Sequence, residues 1–189
     1  LADSWQHLSL VVQCLILATI IAVVCAALSY QHPRLAALAN NVSTVGLTIP
    51  SFALVGILII PFGFGVLPAV IVVTFFATLP ILRNAVVGLS EVDSNIVSAA
   101  RGIGMSRFDT FFRVELPLAW PVILAGMRVS AQMTMGIAAV AAYALGPGLG
   151  GYIFSGLSRL GGANSFESVA TGVIAVVILA LLLDLALIL

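Results

Sequence analysis

The segment LSLVVQCLILATIIAVVCAALSY, residues 8–30, decides the fold of this chain, because it is continuously apolar and carries no charge. Its main polar interruption is Gln13. A helix of about 20 mostly apolar residues crosses the hydrocarbon core of a bilayer. The segment lacks the polar–apolar alternation of a membrane β-strand, and a helix satisfies its own backbone hydrogen bonds in lipid. We therefore predict a transmembrane helix from Leu8 to Tyr30.

Four more apolar segments follow, so the chain is predicted to cross a membrane five times. They comprise residues 35–61, 66–89, 117–143 and 167–189. The second of the five spans is the least regular, because Pro50 removes a backbone hydrogen bond from its middle and predicts a broken helix. The fold class predicted is an all-α membrane protein with a single transmembrane domain over residues 1–189.

The composition excludes several classes of protein. Of 189 residues, 62% are hydrophobic and 7% are charged, whereas a soluble domain has about 45–50% apolar and about 25% charged residues. A soluble globule, a disordered chain and a nucleic-acid binder are therefore excluded. All seven basic residues are arginines, so the chain has no Walker A lysine, and any ATP must be bound by another chain.

No pattern of residues predicts chemistry within this chain. His7 and His32 are isolated and have no second ligand at metal spacing. No Ser-His-Asp set can be assembled on one side of the membrane. We therefore expect no catalytic residue, no metal site and no cofactor held by this chain.

Residues 90–116 differ in kind from the spans, since they hold seven of the fourteen charged residues. Asp93 or Ser94 can cap a short helix, and Gly104 belongs to a glycine pair that ends it. Ser106, followed three residues later by Asp109, is a capping-box pattern that predicts a second helix. We expect this second helix to end near residue 115, because the proline at 117 cannot donate to the preceding turn.

Three phenylalanines give the second helix an apolar face. Phe108, Phe111 and Phe112 stand at positions i, i+3 and i+4, which share one side of a helix. Such a face can lie in the lipid interface, or it can dock into a groove on a partner protein. Composition alone does not choose between these two interpretations.

The arginines predict the orientation of the chain in the membrane. Arg34, Arg83 and the three arginines of residues 90–116 fall on one side, and only Arg159 falls on the other. Positively charged loops remain in the cytoplasm. We therefore expect a cytoplasmic 90–116 segment, an external N-terminus and a cytoplasmic C-terminus.

The 90–116 segment also resembles a known motif. Ser98-Ala99-Ala100, then Gly104, then Leu116-Pro117 resemble the "EAA" loop in permease subunits of binding-protein-dependent ABC importers. The glycine stands six residues after Ser98 and the proline nineteen, as in that family. The resemblance implies a helix–turn–helix that seats in a cleft of the ATP-hydrolysing subunit. The residues expected to form this coupling loop are Ser98, Ala99, Ala100, Arg101, Gly104, Met105, Phe108, Phe111, Phe112, Glu115, Leu116 and Pro117.

The loop departs from the family pattern at one position. Ser98 stands where the family has a glutamate, so the polar contact that seats the loop is not defined by the motif. One hypothesis is that a second, paralogous permease supplies the glutamate in a heterodimer.

Other stretches narrow the resemblance to permeases of osmoprotectant importers. They are Thr48–Ser51, Leu79–Asn84, Ala99–Ser106, Val114–Leu118 and Gly146–Phe154. The resemblance implies a type I ABC importer permease fold in the plasma (inner) membrane and a quaternary-ammonium solute such as glycine betaine, choline or carnitine. It also implies two ATP-binding subunits that carry Mg-ATP, a second permease subunit and an extracytoplasmic substrate-binding protein.

Polar residues within the spans are candidates for the translocation pathway or its gate. Arg128 is costly in lipid and is expected either to face a polar partner in the bundle or to extend to the interface. Gln132 and Met135 suit a pathway wall, and they equally suit ordinary helix packing. Broken helices flank substrate sites in transporters, although a static kink is the alternative here. The candidate set is Thr48, Pro50, Ser51, Arg128, Gln132 and Met135.

Two further expectations concern the last third of the chain. The glycines between residues 146 and 151 predict a flexible outer loop that meets the binding protein, since no lysine follows them as in a phosphate loop. Asp184 is expected to lie at the membrane interface.

Two other functions stay open at this point. An importer of this class could carry another small solute, such as an amino acid. In a passive channel or a scaffold, by contrast, the phenylalanine face would bind lipid and transport would not need ATP.

Overall fold

A computed structural model describes residues 1–144 and 146–188, and every regular element among them is helical. The helices are α1 (Ala2–Ser29), α2 (Pro33–Gly46), α3 (Ser51–Phe62), α4 (Val66–Ser90), α5 (Ser94–Gly102), α6 (Arg107–Thr110), α7 (Leu116–Ala141), α8 (Gly150–Leu157) and α9 (Ser165–Ile188). A π-helical turn, Phe111–Glu115, joins α6 to α7, and a 3₁₀ turn, Ala142–Ala144, follows α7.

The helices confirm the predicted spans. By length and composition, α1, α4, α9 and the continuous run Arg107–Ala144 can each cross a membrane. The pair α2 and α3 provides a fifth crossing if it is counted as one broken span. Its two halves are bent by 93°, and Pro50 is the residue immediately before α3. The predicted break near Pro50 is therefore present.

The core forms around α4, which packs against α1 and α7. Ala18, Ala22 and Ala26 recur every four residues on α1 and are fully buried, so the helix backbones approach closely. Gly126 of α7 serves the same purpose, because a Cβ there would lie 2.7 Å from the Cβ of Asn84 on α4. In contrast, α9 is the least buried of the long helices and packs mainly on α7 and α8.

The helix that begins after Ser106 does not end near Glu115, so this expectation was wrong. The N–H of Leu116 donates to the carbonyl of Phe111, five residues earlier, which is the bond of a π-helical turn. This wider turn accommodates Pro117, whose missing N–H would otherwise interrupt the α-helical pattern. The helix consequently continues into α7.

The predicted glycine loop was wrong from residue 150 onwards, where a helix begins, while its contact with the binding protein stays a prediction; Leu145 lies outside the described part. Residues 150–157 form α8, and the glycines before it are packed. Gly148 has φ +114°, and a Cβ there would lie 2.7 Å from the Cβ of His7. A Cβ on Gly150 would lie 2.0 Å from the carbonyl oxygen of Ala139. Close backbone approach explains these glycines better than mobility does.

Candidate functional site

The 90–116 segment forms two short helices joined by a tightly closed turn. Asp93 caps α5 by accepting a hydrogen bond from the N–H of Asn95 at 2.8 Å. At the other end, the N–H of Gly104 donates to Arg101 and that of Met105 donates to Ala100. These two bonds form a Schellman motif, which requires the left-handed φ of +94° at Gly104. The predicted ends of the first helix are confirmed.

The second helix begins as predicted at Ser106. Its hydroxyl oxygen accepts a hydrogen bond from the N–H of Asp109 at 3.0 Å. The Asp109 carboxylate in turn accepts from the Ser106 hydroxyl, rather than from the backbone N–H of a standard capping box. With both helix ends capped, the turn between them is held in one conformation.

The tip of this turn exposes large apolar side chains. Ile103 is 83% exposed and Phe108 is 71% exposed. The sequence pattern indicated Phe108 but not Ile103, although the position of Ile103 between two glycines was a usable signal. Ser98 and Ala99 are exposed beside the tip, whereas Ala100 is buried and Met105 is half-buried.

The three phenylalanines form one cluster but do not share one environment. The ring centroids of Phe108 and Phe112 are 4.4 Å apart, and those of Phe111 and Phe112 are 5.0 Å apart. Phe111 and Phe112 also line an apolar groove of about 440 Å³ along α1. Phe108 remains on the outer side of the cluster, next to the tip of the turn.

A buried carboxylate connects this segment to the rest of the bundle. Glu115 is 3% exposed and lies in the π-helical turn. The hydroxyl of Tyr30, at the end of α1, donates a hydrogen bond to Glu115. Arg101, in the last turn of α5, places Nη2 3.9 Å from the other carboxylate oxygen. Glu115 therefore joins three elements that are distant in sequence, a role that no local pattern predicted.

The surroundings of Glu115 form a polar pocket of about 310 Å³. Ser98, the residue at the family's glutamate position, lines this pocket together with Arg101 and Glu115. Burial, and then the hydrogen bond to Glu115, raise the pKa of Tyr30 to about 12. Tyr30 therefore keeps its proton, and remains a hydrogen-bond donor, throughout the physiological pH range. Leu116 and Pro117 begin α7. Leu116 is half-buried and Pro117 is exposed.

The helix break places the first candidate pathway residues at one exposed site. Thr48 and Pro50 are exposed between α2 and α3, and Ser51 begins α3. The Thr48 hydroxyl donates to the carbonyl of Val45 at 2.7 Å, which satisfies one acceptor at the end of α2. Gly46 lets the break pack against α4, because a Cβ there would lie 2.7 Å from Leu79.

The other pathway candidates separate in the structure. Arg128 makes a two-pronged ion pair with Asp184 on α9, with Nε–Oδ1 at 2.8 Å and Nη2–Oδ2 at 2.9 Å. Gln132 is exposed one turn further along α7. Met135 is fully buried in the core, where its carbonyl oxygen accepts a hydrogen bond from His7 Nε2 at 3.1 Å. The partner of Arg128 was not predicted, and Asp184 is paired within the bundle.

Comparison with known proteins agrees with this architecture. Residues 18–187 match the model of the family described as the binding-protein-dependent transport system inner membrane component. The chain belongs to this family. It is thus a multi-pass permease of an ABC importer, a transport subunit of an inner-membrane system that also has ATPase, binding-protein and permease components.

Curated relatives cover nearly the whole permease. It is 37% identical to the carnitine transport permease protein OpuCB of Listeria monocytogenes, over 99% of this chain and 84% of that one. It is 34% identical to the choline transport system permease protein OpuBB of Bacillus subtilis, over 97% and 83%. It is also 37% identical to the osmoprotectant import permease protein OsmW of Salmonella typhimurium, over 96% and 85%.

A solved structure confirms the type I importer fold. The permease matches a chain of the MetNI methionine ABC transporter, in inward facing conformations, with a TM-score of 0.76. The match covers 98% of the permease and 91% of that chain at 21% identity. At this identity, the likeness concerns the fold.

Proposed function

We propose that the permease forms the pathway by which an ABC importer takes up a quaternary-ammonium osmoprotectant such as glycine betaine, choline or carnitine. The names of three relatives that are 34–37% identical over nearly the whole chain support this solute class. An extracytoplasmic binding protein delivers the solute. Mg-ATP is bound by two ATPase subunits, and a second permease subunit completes the pathway.

The observation that carries this function is the construction of the 90–116 segment. Its tip presents Ile103 and Phe108 to the outside on a turn that lies between the Schellman motif ending α5 and the Ser106 cap of α6. An exposed apolar knob on a rigid turn is suited to a groove on a partner protein. We assign that groove to the ATPase, with the segment in the cytoplasm, the N-terminus outside and the C-terminus inside.

The coupling segment has a buried carboxylate of its own, Glu115, although Ser98 stands at the family's glutamate position. Glu115 provides a carboxylate in the same pocket as Ser98, but from the π-helical turn rather than from α5. In this proposal Glu115 holds the coupling segment to α1 and α7, so a movement of the tip moves both spans. A glutamate from a paralogous permease is then not required to seat the loop.

The pathway is proposed to pass residues of the helix break and of α7 that are exposed or half-buried. Thr48, Pro50 and Ser51 border it at the break, and Gln132 borders it on α7. Arg128 supports the α7 wall through its ion pair with Asp184. Met135, being buried, packs behind that wall and does not border the pathway.

The test is purification of the tagged permease from its native membrane in mild detergent, followed by reconstitution and uptake measurement. We expect a co-purifying ATPase and ATP-dependent uptake of labelled choline or glycine betaine that an excess of amino acids does not reduce. Gly104→Val should abolish ATPase association, because it disrupts the left-handed turn. Gly102→Ala is the matched control, since a Cβ there meets nothing within 4 Å.

Other outcomes would redirect the proposal. If an amino acid competes with the uptake of choline or glycine betaine, the proposed solute class is wrong but the assignment as an importer permease stands. A permease that purifies without an ATPase and conducts solute without ATP would be a passive channel. A second, paralogous permease in the purified complex would favour the heterodimer.

A further inference from the structure

Three aromatic side chains from separate elements meet beside the helix break. Phe52 comes from the first turn of α3, Tyr143 from the 3₁₀ turn and Phe154 from α8. The ring centroids of Phe52 and Tyr143 are 4.8 Å apart, and those of Tyr143 and Phe154 are 5.6 Å apart. The interplanar angles are 57° and 56°, so the rings form a bent wall rather than a flat stack. We call these residues the aromatic trio.

The aromatic trio has open ring surface although its backbone is firmly held. Phe52 is 50% exposed and Tyr143 is 47% exposed. The N–H of Gly65 donates to the carbonyl of Ala144 at 2.7 Å, which ties the turn after α3 to the 3₁₀ turn. Gly150 allows the start of α8 to lie directly on α7. Exposed rings on a fixed frame are the arrangement of a binding surface.

The face of α7 that leads to the trio is unlike a lipid-facing surface. Gln132 and Gly136 of α7 and Tyr143 of the 3₁₀ turn that follows it are spaced four and seven residues apart, which continues one side of the helix, and all three are exposed. Polar and small residues on a membrane helix mark contacts within a bundle or with a polar cavity. An apolar groove of about 250 Å³ on the same side contains both Gly136 and Phe154.

The electrostatics of the trio favour an organic cation. The face of an aromatic ring carries negative potential, and several rings together recognise quaternary ammonium groups. The first turn of α3 lies beside the ring of Phe52, because helical side chains lean towards the N-terminus. No side chain among the described residues caps this turn, so its free N–H groups favour an anion.

We propose that Phe52, Tyr143 and Phe154 form a cation–π site within the permease for the quaternary ammonium group of the transported solute. This inference rests on the proposed function, since it gives the solute a contact on the pathway itself. An interfacial aromatic belt is the competing explanation, but two of the three residues are phenylalanines, which lack the polar tip of belt residues.

The test is equilibrium binding of labelled choline to the permease–ATPase complex in nanodiscs, without the binding protein. Choline should bind and be displaced by glycine betaine, but not by its neutral isostere 3,3-dimethylbutan-1-ol. Phe52→Leu, Tyr143→Leu and Phe154→Leu should each weaken binding about 3- to 10-fold. Tyr143→Phe should preserve it. Phe64→Leu is the matched control, because Phe64 is 62% exposed but lies outside the trio.

Ring electronics distinguish binding from a structural role. Successive fluorination of the Phe52 ring should weaken choline binding stepwise, because fluorine withdraws the negative potential of the ring face while nearly preserving its size. The inference would be overturned if choline does not bind. It would also be overturned if the leucine variants and fluorination leave choline binding unchanged. Variants that lower the membrane yield without changing affinity would overturn it as well, since this is the behaviour of interfacial anchors.

A parallel uptake assay with the binding protein present separates the two proposals. If the complex imports choline or glycine betaine while the trio variants bind and transport normally, the cation–π site is refuted and the proposed function stands. If no quaternary-ammonium solute is imported by the unaltered complex, the proposed function fails first.

Discussion

Replacement of Glu115 by glutamine is the sharpest perturbation of the coupling segment. The substitution preserves the shape of the side chain and removes its charge. A hydrogen bond to a charged group contributes about 1.5–3 kcal/mol, and this applies to the bond from Tyr30, since Glu115 is 3% exposed. The ion pair with Arg101 adds at most about 1 kcal/mol, because the Arg101 side chain is 45% exposed. We therefore expect Glu115→Gln to destabilise the permease by about 1–2 kcal/mol, since the amide oxygen still accepts from Tyr30.

We expect Glu115→Gln to impair the coupling of ATP hydrolysis to solute import even at temperatures where the variant is fully folded. If Glu115 transmits movement of the segment to α1 and α7, its loss leaves ATPase binding intact and weakens coupling. The assay is ATP hydrolysed per solute imported in proteoliposomes, measured together with the thermal midpoint. We expect the variant to hydrolyse more ATP per imported solute at a temperature where it remains folded.

A double-mutant cycle makes this reasoning refutable. Tyr30→Phe and Glu115→Gln should show a coupling energy of about 0.5–3 kcal/mol, the range for residues in direct contact. Because the amide of the Glu115→Gln variant still accepts from Tyr30, effects that simply add would mean that the charge of Glu115 does not strengthen this bond. Arg113→Gln is the control, because the Arg113–Asp109 pair is an exposed i, i+4 pair with the arginine side chain 76% exposed. It should cost no more than about 0.5 kcal/mol.

Three further predictions concern other parts of the fold. Either Arg128→Leu or Asp184→Asn should lower the yield and thermal midpoint of the permease, because the remaining polar partner loses its ion pair within the spans; exchanging the two residues should restore both. Gly148→Ala should cost about 1–3 kcal/mol in thermal unfolding, since a Cβ would lie 2.7 Å from its nearest neighbour at φ +114°, whereas Gly151→Ala occupies open space and should be neutral. Because the pKa of Tyr30 is raised to about 12 in the folded state, its contribution to stability should be complete below pH 10 and lost as the pH rises through about 12; a Tyr30→Phe variant should lack this alkaline step in a pH series of melting midpoints.

Local patterns predicted the features that depend on neighbouring residues. The spans follow from continuous apolar runs, and the caps at Asp93 and Ser106 follow from side chains that bond two or three residues away. The left-handed turn at Gly104 was predicted for the same reason. Such features are encoded within a few positions and need no knowledge of the tertiary structure.

Features that join distant residues were missed. Arg128 and Asp184 are 56 residues apart, and Tyr30 and Glu115 are 85 apart, so no periodicity connects them. The glycines at 148 and 150 were misinterpreted, because a glycine needed for close backbone contact looks the same in sequence as one needed for flexibility. The π-helical turn before Pro117 was missed because a proline ordinarily ends a helix.

That turn has a mechanical consequence. Because the helix does not stop at Pro117, a single rod of 38 residues runs from Arg107 to Ala144. At 1.5 Å per residue the rod is about 57 Å long, and a tilt of about 10° about one end displaces the other by about 10 Å. One end lies beside Phe108 and the other carries Tyr143. When the whole run rotates as one body, a small rotation at the first end therefore becomes a displacement of molecular size at the second.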